Sequence, residues 1–540
     1  MTENLPVLTV LPPLIAIVLV IATRKVLLSL GAGVLASALL VTDLSPLPAL
    51  RLVWDAFSGI FWEEGAVNTY YVYILIFTLL LGIIAALVMM AGGSTAFADW
   101  ALERIRTRRG ATILPAVLGI VIFIDDYFNA LAVGQVSRPV TDRMHVARAK
   151  LAYLIDSTSA PVAVLAPFSS WGASIIGIMA PIVAGSALAV SDVEAFLGAA
   201  LMNYYAITAV LLVWIVVLLQ LDLGPMRKEE RRAIREGRTY DATEEVPGEL
   251  AEDLPVHEPG AKRALVVPFL VLVAGVLTGI VWTGYQAGGS WAVLDLLANT
   301  AVTDALLYGG LLGTATALYY YVRYTTSNPR FSAATLGRGV WEGISSMLPA
   351  VYILLLAWML GSLIGELGTG EYLGGLVERT DLPAAWLIPL MFVLAGAMAF
   401  STGTSWGSFG ILLPIAGQIM NTVEGGPELL LPAFGAVLAG AVWGDHCSPI
   451  SDTTILSSTG AGCNVITHVT TQLPYAIVGA VVALLGYVVF ALTLSPWLGL
   501  VAVAVGLAVV AVLGKVVSTR LEEEIPEHEQ ADIKARAASR

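Results

Sequence analysis

The sequence predicts an all-α polytopic membrane protein with two inverted-topology repeats. Each repeat holds a re-entrant hairpin and a broken helix, and the chain as a whole has about 11 full spans plus 2 hairpins. Three observations lead there. Apolar residues make up 57% of the chain before its 52 glycines are counted, and charged residues only 13%, against about 45–50% and about 25% in soluble domains. Mean hydropathy is +0.81. Charge is also segregated: 222–263 carries 11 acidic and 8 basic residues, and 520–540 carries 6 and 4. Those segments read as the water-facing parts, and no basic surface suggests nucleic acid.

A spanning helix needs about 20 apolar residues. Uninterrupted candidates lie at 5–22, 26–42, 70–91, 195–221, 264–283, 304–322, 341–365, 471–494 and 497–518. The first reads as an uncleaved span, because no basic residue precedes it and Arg24 and Lys25 follow it. Two stretches, 151–187 and 429–462, are long and broken by Pro, Gly, Ser and Asp. Two more, 111–137 and 383–420, are apolar but break in the middle.

Charge sidedness orients these segments. Arg24 with Lys25, and then Arg104, Arg106, Arg108 and Arg109, mark inside faces, while the 43–69 loop is acid-rich and outside. The N-terminus is then outside and the C-terminus, after Lys515 and Arg520, inside. Segment 111–137 has basic residues on both flanks, Arg138, Arg143, Arg148 and Lys150 following it, so it enters and leaves from the inside. Segment 383–420 has acid-rich flanks and enters from the outside. The chain thus repeats one pattern of full span, hairpin, broken span and full span in opposite senses. The expected organisation is N-terminal spans 1–69, a first repeat 70–221, a charged cytoplasmic loop 222–263, linking spans 264–340, a second repeat 341–494, and a last span with tail 495–540. Inverted repeats of this kind place a binding site near the bilayer midplane, where the halves meet.

Four polar runs interrupt the apolar background. The first is Asp125-Asp126-Tyr-Phe-Asn129, whose adjacent carboxylates repel at a hairpin tip. Next comes Asp156-Ser157-Thr158-Ser159 before Pro161, which removes an amide donor and frees a carbonyl. The third, Thr402-Gly403-Thr404-Ser405, suits a tight turn at membrane depth. The fourth is Asp445-His446 with Ser448, Ser451, Asp452, Thr453 and Thr454 around Pro449. Charged groups inside a bilayer are costly and usually line a functional cavity, so these residues are the candidate ion- or substrate-binding set. Oxygen-rich broken helices suit a hard cation, with Asp156, Asp445 and Asp452 as its ligands. None of the runs contains Lys or Arg, which favours a cation over a carboxylate. His446 is a candidate proton relay. Cys447 and Cys463 form neither a disulfide framework nor a metal signature. Asp126-Tyr127 and Gly444-Asp445 faintly suggest the paired aspartates of an intramembrane protease, but a second Gly-Asp motif and HExxH are missing, so no enzyme is expected.

The stretches 125–142 (DDYFNALAVGQVSRPVTD), 156–172 (DSTSAPVAVLAPFSSWG), 401–416 (STGTSWGSFGILLPIA) and 444–463 (GDHCSPISDTTILSSTGAGC) resemble the NhaC family of sodium/proton antiporters, within the ion transporter superfamily. The resemblance covers about 70 to 494. It implies exchange of Na⁺ for H⁺ across the cell membrane with no resident cofactor, the ions being cargo. Relatives similar to this chain also include sodium- and proton-coupled malate/lactate exchangers and amino-acid transporters, so a small organic substrate stands as the alternative. The lipid bilayer is the expected partner, and a homodimer is a further expectation.

Overall fold

The computed structural model describes residues 5–517 apart from 24, 64, 124–125, 168, 187, 189, 242, 245–253, 370–371, 373–382 and 424. The chain is a polytopic all-α membrane protein. Among the described residues, six helices are long and apolar enough to cross a membrane, or seven if one bent pair counts as a single span.

Leu11–Thr23 and Val26–Val41 form an antiparallel pair. The 43–69 segment differs from its reading as a loop. It holds a helix, Pro46–Phe61, with Pro at its first turn, followed by a two-strand ribbon pairing Trp62 with Val67 and Glu63 with Ala66. Ala49, Leu52, Val53, Ala56, Phe57 and Ile60 face the bundle while Arg51 and Asp55 are exposed. That is the i, i+3, i+4 spacing of an amphipathic helix, which a search for unbroken apolar runs passes over.

Thr69–Met90 is a full-length apolar helix. It packs on Ala333–Glu366 and on the pair Arg263–Gly288 and Val302–Thr325. These contacts are close because small residues meet: a Cβ on Gly82 would lie 2.1 Å from the Gly343 carbonyl oxygen.

The first hairpin is Arg108–Val121 and Asp126–Arg143. The first broken helix runs Arg148–Asp156, Ala160–Ala163 and Ser170–Ala184. The second hairpin is Ala384–Thr402 and Ser405–Thr422, turned by Gly403 at φ +72°. The second broken helix is Leu430–Cys447 and Asp452–Ala461. Val465–Thr493 then packs on both broken helices, and Pro496–Val517 packs outside it.

The stretch 195–221 is not one straight span. It forms Asp192–Leu201 and Tyr204–Leu219, bent by 60°. Asn203 caps the second helix by accepting from the Ala206 amide, and the Tyr487 hydroxyl donates to the freed Met202 carbonyl at 2.7 Å. The Met202 carbonyl at the bend is therefore not left bare in an apolar interior.

The charged segment 222–263 is also partly structured. Its helix Pro225–Glu236 buries Met226, Glu230, Ala233 and Ile234, again at helical spacing. Glu230 accepts from Arg108 at the start of the first hairpin and from the Ala147 amide at 2.8 Å. Lys150 meets Asp222 at 2.6 Å with both side chains buried, and Thr467 donates to Glu244 at 2.6 Å. One face of the bundle is thereby tied to this segment. Burial alone would raise Glu230, but Arg108, Lys150 and the Ala147 amide outweigh it and hold the carboxyl below its ordinary value. Burial pushes Asp222 up despite Lys150.

Candidate functional site

Both broken helices stop inside the bundle, and their ends meet. In the first, Pro161 has no amide to give, and the hydroxyls beside it turn to backbone: Thr158 Oγ1 donates to the Leu154 carbonyl at 2.7 Å and Ser159 Oγ to the Asp156 carbonyl at 3.0 Å. These two side chains patch the break. Asp156 faces across it. Its Oδ1 accepts from Ser457 at 3.2 Å, and its Oδ2 accepts from Gln472 at 2.6 Å and lies 3.5 Å from Thr454 Oγ1 and 3.2 Å from His468 Nε2. His446 Nε2 is 3.9 Å from the same oxygen. His446 also meets Ser157 Oγ at 3.1 Å and the Tyr205 hydroxyl at 2.7 Å.

In the second broken helix, Asp445 lies beside the second hairpin. Ser405, the first residue of the helix Ser405–Thr422, donates to Asp445 Oδ2 through its amide at 3.2 Å and its hydroxyl at 2.6 Å. A helix N-terminus favours such an anion. Ser451 donates to Asp445 Oδ1, meets Thr453 Oγ1 at 2.9 Å, and caps the next half-helix by accepting from the Thr454 amide at 3.3 Å. Asp452 accepts from the Thr453 amide at 2.8 Å and from the Tyr127 hydroxyl, which comes from the first hairpin.

The hairpin turns are held against these breaks. Asn129 Nδ2 donates to the carbonyls of Gly119 at 2.6 Å, Ile122 at 2.7 Å and Thr158 at 3.4 Å. Gly403 sits so close to the second break that a Cβ there would lie 2.6 Å from the Ile450 carbonyl oxygen. Ser448 donates to the Phe400 carbonyl at 2.8 Å. The two Ser-Trp-Gly triplets also converge: Trp171 and Trp406 pack edge to face at 5.2 Å and share Phe409.

The structure thus joins Asp156, Ser157, Ser405, Asp445, His446, Ser451, Asp452, Thr453 and Thr454 in one buried hydrogen-bonded cluster. Asp126 is buried at the start of its helix, and Asp125 lies outside the described residues. Thr402 hydrogen-bonds back to the Met398 carbonyl at 3.0 Å, while the Thr404 carbonyl accepts from Ser408. Thr402, Gly403, Thr404 and Ser448 therefore shape the turns. Among the described residues, the only basic side chains paired with Asp156 are histidines.

Five members of the cluster escape the sequence reading: Tyr127, Tyr205, Ser457, His468 and Gln472. A signal for two of them exists. His468, Thr471, Gln472 and Tyr475 are buried at i, i+3, i+4 and i+7 of one helix, a polar stripe that the apolar run 471–494 cuts off before His468.

The profile described as the Na⁺/H⁺ antiporter family matches residues 162–492. A protein of Haemophilus influenzae described as uncharacterized is 42% identical over 508 residues, covering 93% of this chain and 94% of that one. The malate-2H⁺/Na⁺-lactate antiporter of Bacillus subtilis is 34% identical over 26% of this chain and 30% of its own length. The arginine/ornithine antiporter of Halobacterium salinarum is 34% identical over 28% and 31%.

Proposed function

This chain belongs to the Na⁺/H⁺ antiporter family, and we propose that it exchanges Na⁺ for H⁺ across the cell membrane by alternating access. The observation that carries the reading is the single buried cluster holding Asp156, Asp445 and Asp452, into which, among the described residues, no Lys or Arg reaches. Carboxylates kept in a low-dielectric interior without a fixed counter-cation favour a mobile one. The hydroxyls, helix-end carbonyls and carboxylates around them are hard oxygen ligands suited to Na⁺. A buried carboxyl group is neutralised by a proton or by a metal ion, so the two cargoes compete for the same place. Asp156 is the first ligand in this scheme, with Asp445 and Asp452 completing the negative interior.

The repeats 70–221 and 341–494 run in opposite senses, and rocking one against the other exposes the shared site to each side in turn. The 222–263 segment and the C-terminus face the cytoplasm and the N-terminus faces outward, following the distribution of Arg and Lys. The relatives named for malate with lactate and for arginine with ornithine support a competing reading, in which the same cluster couples ions to an organic solute.

Acid-loaded proteoliposomes separate the two. On addition of Na⁺ the wild type collapses the pH gradient and Asp156→Asn does not. A wild type without Na⁺-dependent proton flux refutes the exchange. Counterflow of labelled malate, lactate, arginine or ornithine in its place assigns the cluster to an organic cargo.

A further inference from the structure

Gln472 is fully buried on Val465–Thr493. Its amide nitrogen donates to Asp156 Oδ2 at 2.6 Å and to the His446 carbonyl oxygen at 2.7 Å. One acceptor ends the first half of one broken helix and the other lies near the end of the first half of the other. The His446 carbonyl is among the last four of its helix, which have no intrahelical donor; the Ile450 amide, four residues on, turns to Ser448 Oγ instead.

A carboxylate oxygen and a helix-end carbonyl converging on one point form the oxygen pair that a small cation takes at broken helices. An atom 2.6 and 2.7 Å from them lies near the roughly 2.3–2.6 Å that a hard cation such as Ca²⁺ keeps from oxygen. The amide nitrogen, with its two partly positive hydrogens, stands where a cation would be. A second, independent observation concerns the other end of the amide. Gln472 Oε1 is buried and has no hydrogen-bond partner among the described residues, an arrangement that native interiors rarely keep without a use.

We propose that Gln472 is a ligand of the transported cation. Its nitrogen holds the place between Asp156 and His446 in the state seen here, and rotation about the terminal side-chain bond brings Oε1 to the ion when it enters. The two ends of the amide are nearly the same size, so the turn itself leaves its walls in place, and admitting the ion takes a withdrawal of the side chain by one cation–oxygen distance, roughly 2.3–2.6 Å. Ser457, Thr454 and His468 keep Asp156 oriented throughout. The inference rests on the exchange reading and deepens it by locating the ion beside Asp156, where its Oδ2 and the His446 carbonyl oxygen converge on the Gln472 amide.

The test uses purified full-length protein, with Na⁺-induced shifts of thermal midpoint and the Na⁺ dependence of proton flux measured side by side. Gln472→Leu raises the half-saturating Na⁺ concentration by roughly 10- to 100-fold, the loss expected for one interaction with a charged partner. Gln472→Glu supplies oxygens but no amide donor and keeps the Na⁺ response. A residue that merely props Asp156 by donation predicts the opposite for Gln472→Glu, a loss as complete as in Asp156→Asn, and that result overturns the proposal. So does an unchanged half-saturating Na⁺ concentration in Gln472→Leu. If Gln472→Leu fails to fold, as judged by size exclusion, Gln472→Glu decides. A wild type that responds to Na⁺ in neither assay defeats the exchange reading itself; a normal wild type with an unmoved Gln472→Leu defeats only this inference.

Discussion

Replacing Glu230 tests how firmly the charged segment 222–244 is seated on the bundle. The Glu230 side chain is 1% exposed and pairs with Arg108, itself 16% exposed. It also accepts from the Ala147 amide at 2.8 Å. Glu230→Ala strips both donors of this acceptor. Breaking one partner of a buried pair costs about 3–5 kcal/mol, and the partial exposure of Arg108 places this case near the lower end, about 3 kcal/mol. If the loss falls on local opening, the open population rises on the order of 100-fold.

Cys463 reports on that opening. It is 2% exposed and shares a cleft with Glu229, Arg232, Tyr240, Glu244 and Thr467. The chain has one other cysteine, Cys447, buried beside His446, which serves as an internal reference. Alkylation by a maleimide, with the two sites separated by peptide mass, is expected to accelerate at Cys463 and not at Cys447. A Cys463 rate within about threefold of wild type refutes the energetic argument, and a parallel rise at Cys447 shows global loosening in place of local release. The sign of the pH dependence follows from the lowered Glu230. Its contribution is present above the ordinary Glu value of 4.5 and is lost as pH falls through the depressed folded value. The difference between wild type and Glu230→Gln is therefore largest near neutrality and vanishes in acid.

Two further outcomes are expected. Gly444→Ala puts a Cβ 2.0 Å from the Gly396 carbonyl oxygen, whereas Gly410→Ala meets nothing within 4 Å. The first should lower the thermal midpoint by the equivalent of about 1–3 kcal/mol or prevent folding, and the second should be neutral or stabilising by up to about 1 kcal/mol; equal midpoints would refute the packing account. Tyr127→Phe removes the hydroxyl that joins the first hairpin to Asp452 and should reduce Na⁺-driven proton flux at least tenfold while the thermal midpoint falls by the equivalent of about 1–2 kcal/mol. Flux at the wild-type rate would separate Asp452 from the transport step.

Hydropathy and helix-breaking residues were enough to place the membrane character and many of the long helices. Lipid demands long apolar runs, and a backbone inside it demands satisfied carbonyls, so both leave local marks: Pro161, Gly403 and Pro449 stand at or beside the turns. The mixed charges of Pro225–Glu236 and the acid-rich 43–69 segment hid two amphipathic helices, because only their burial pattern separates such helices from loops. The site was legible in part for the same reason. Asp156, Asp445 and Asp452 stand out because buried charge is rare, yet nothing local says that Tyr127 meets Asp452 or that Gln472 bridges Asp156 and the His446 carbonyl. Those contacts join residues 325, 316 and 26 positions apart. They arise only when the hairpins, the broken helices and Val465–Thr493 pack together, and it is that packing, set by small residues such as Gly82, Gly343, Gly396 and Gly444, that turns separate polar runs into one buried cluster.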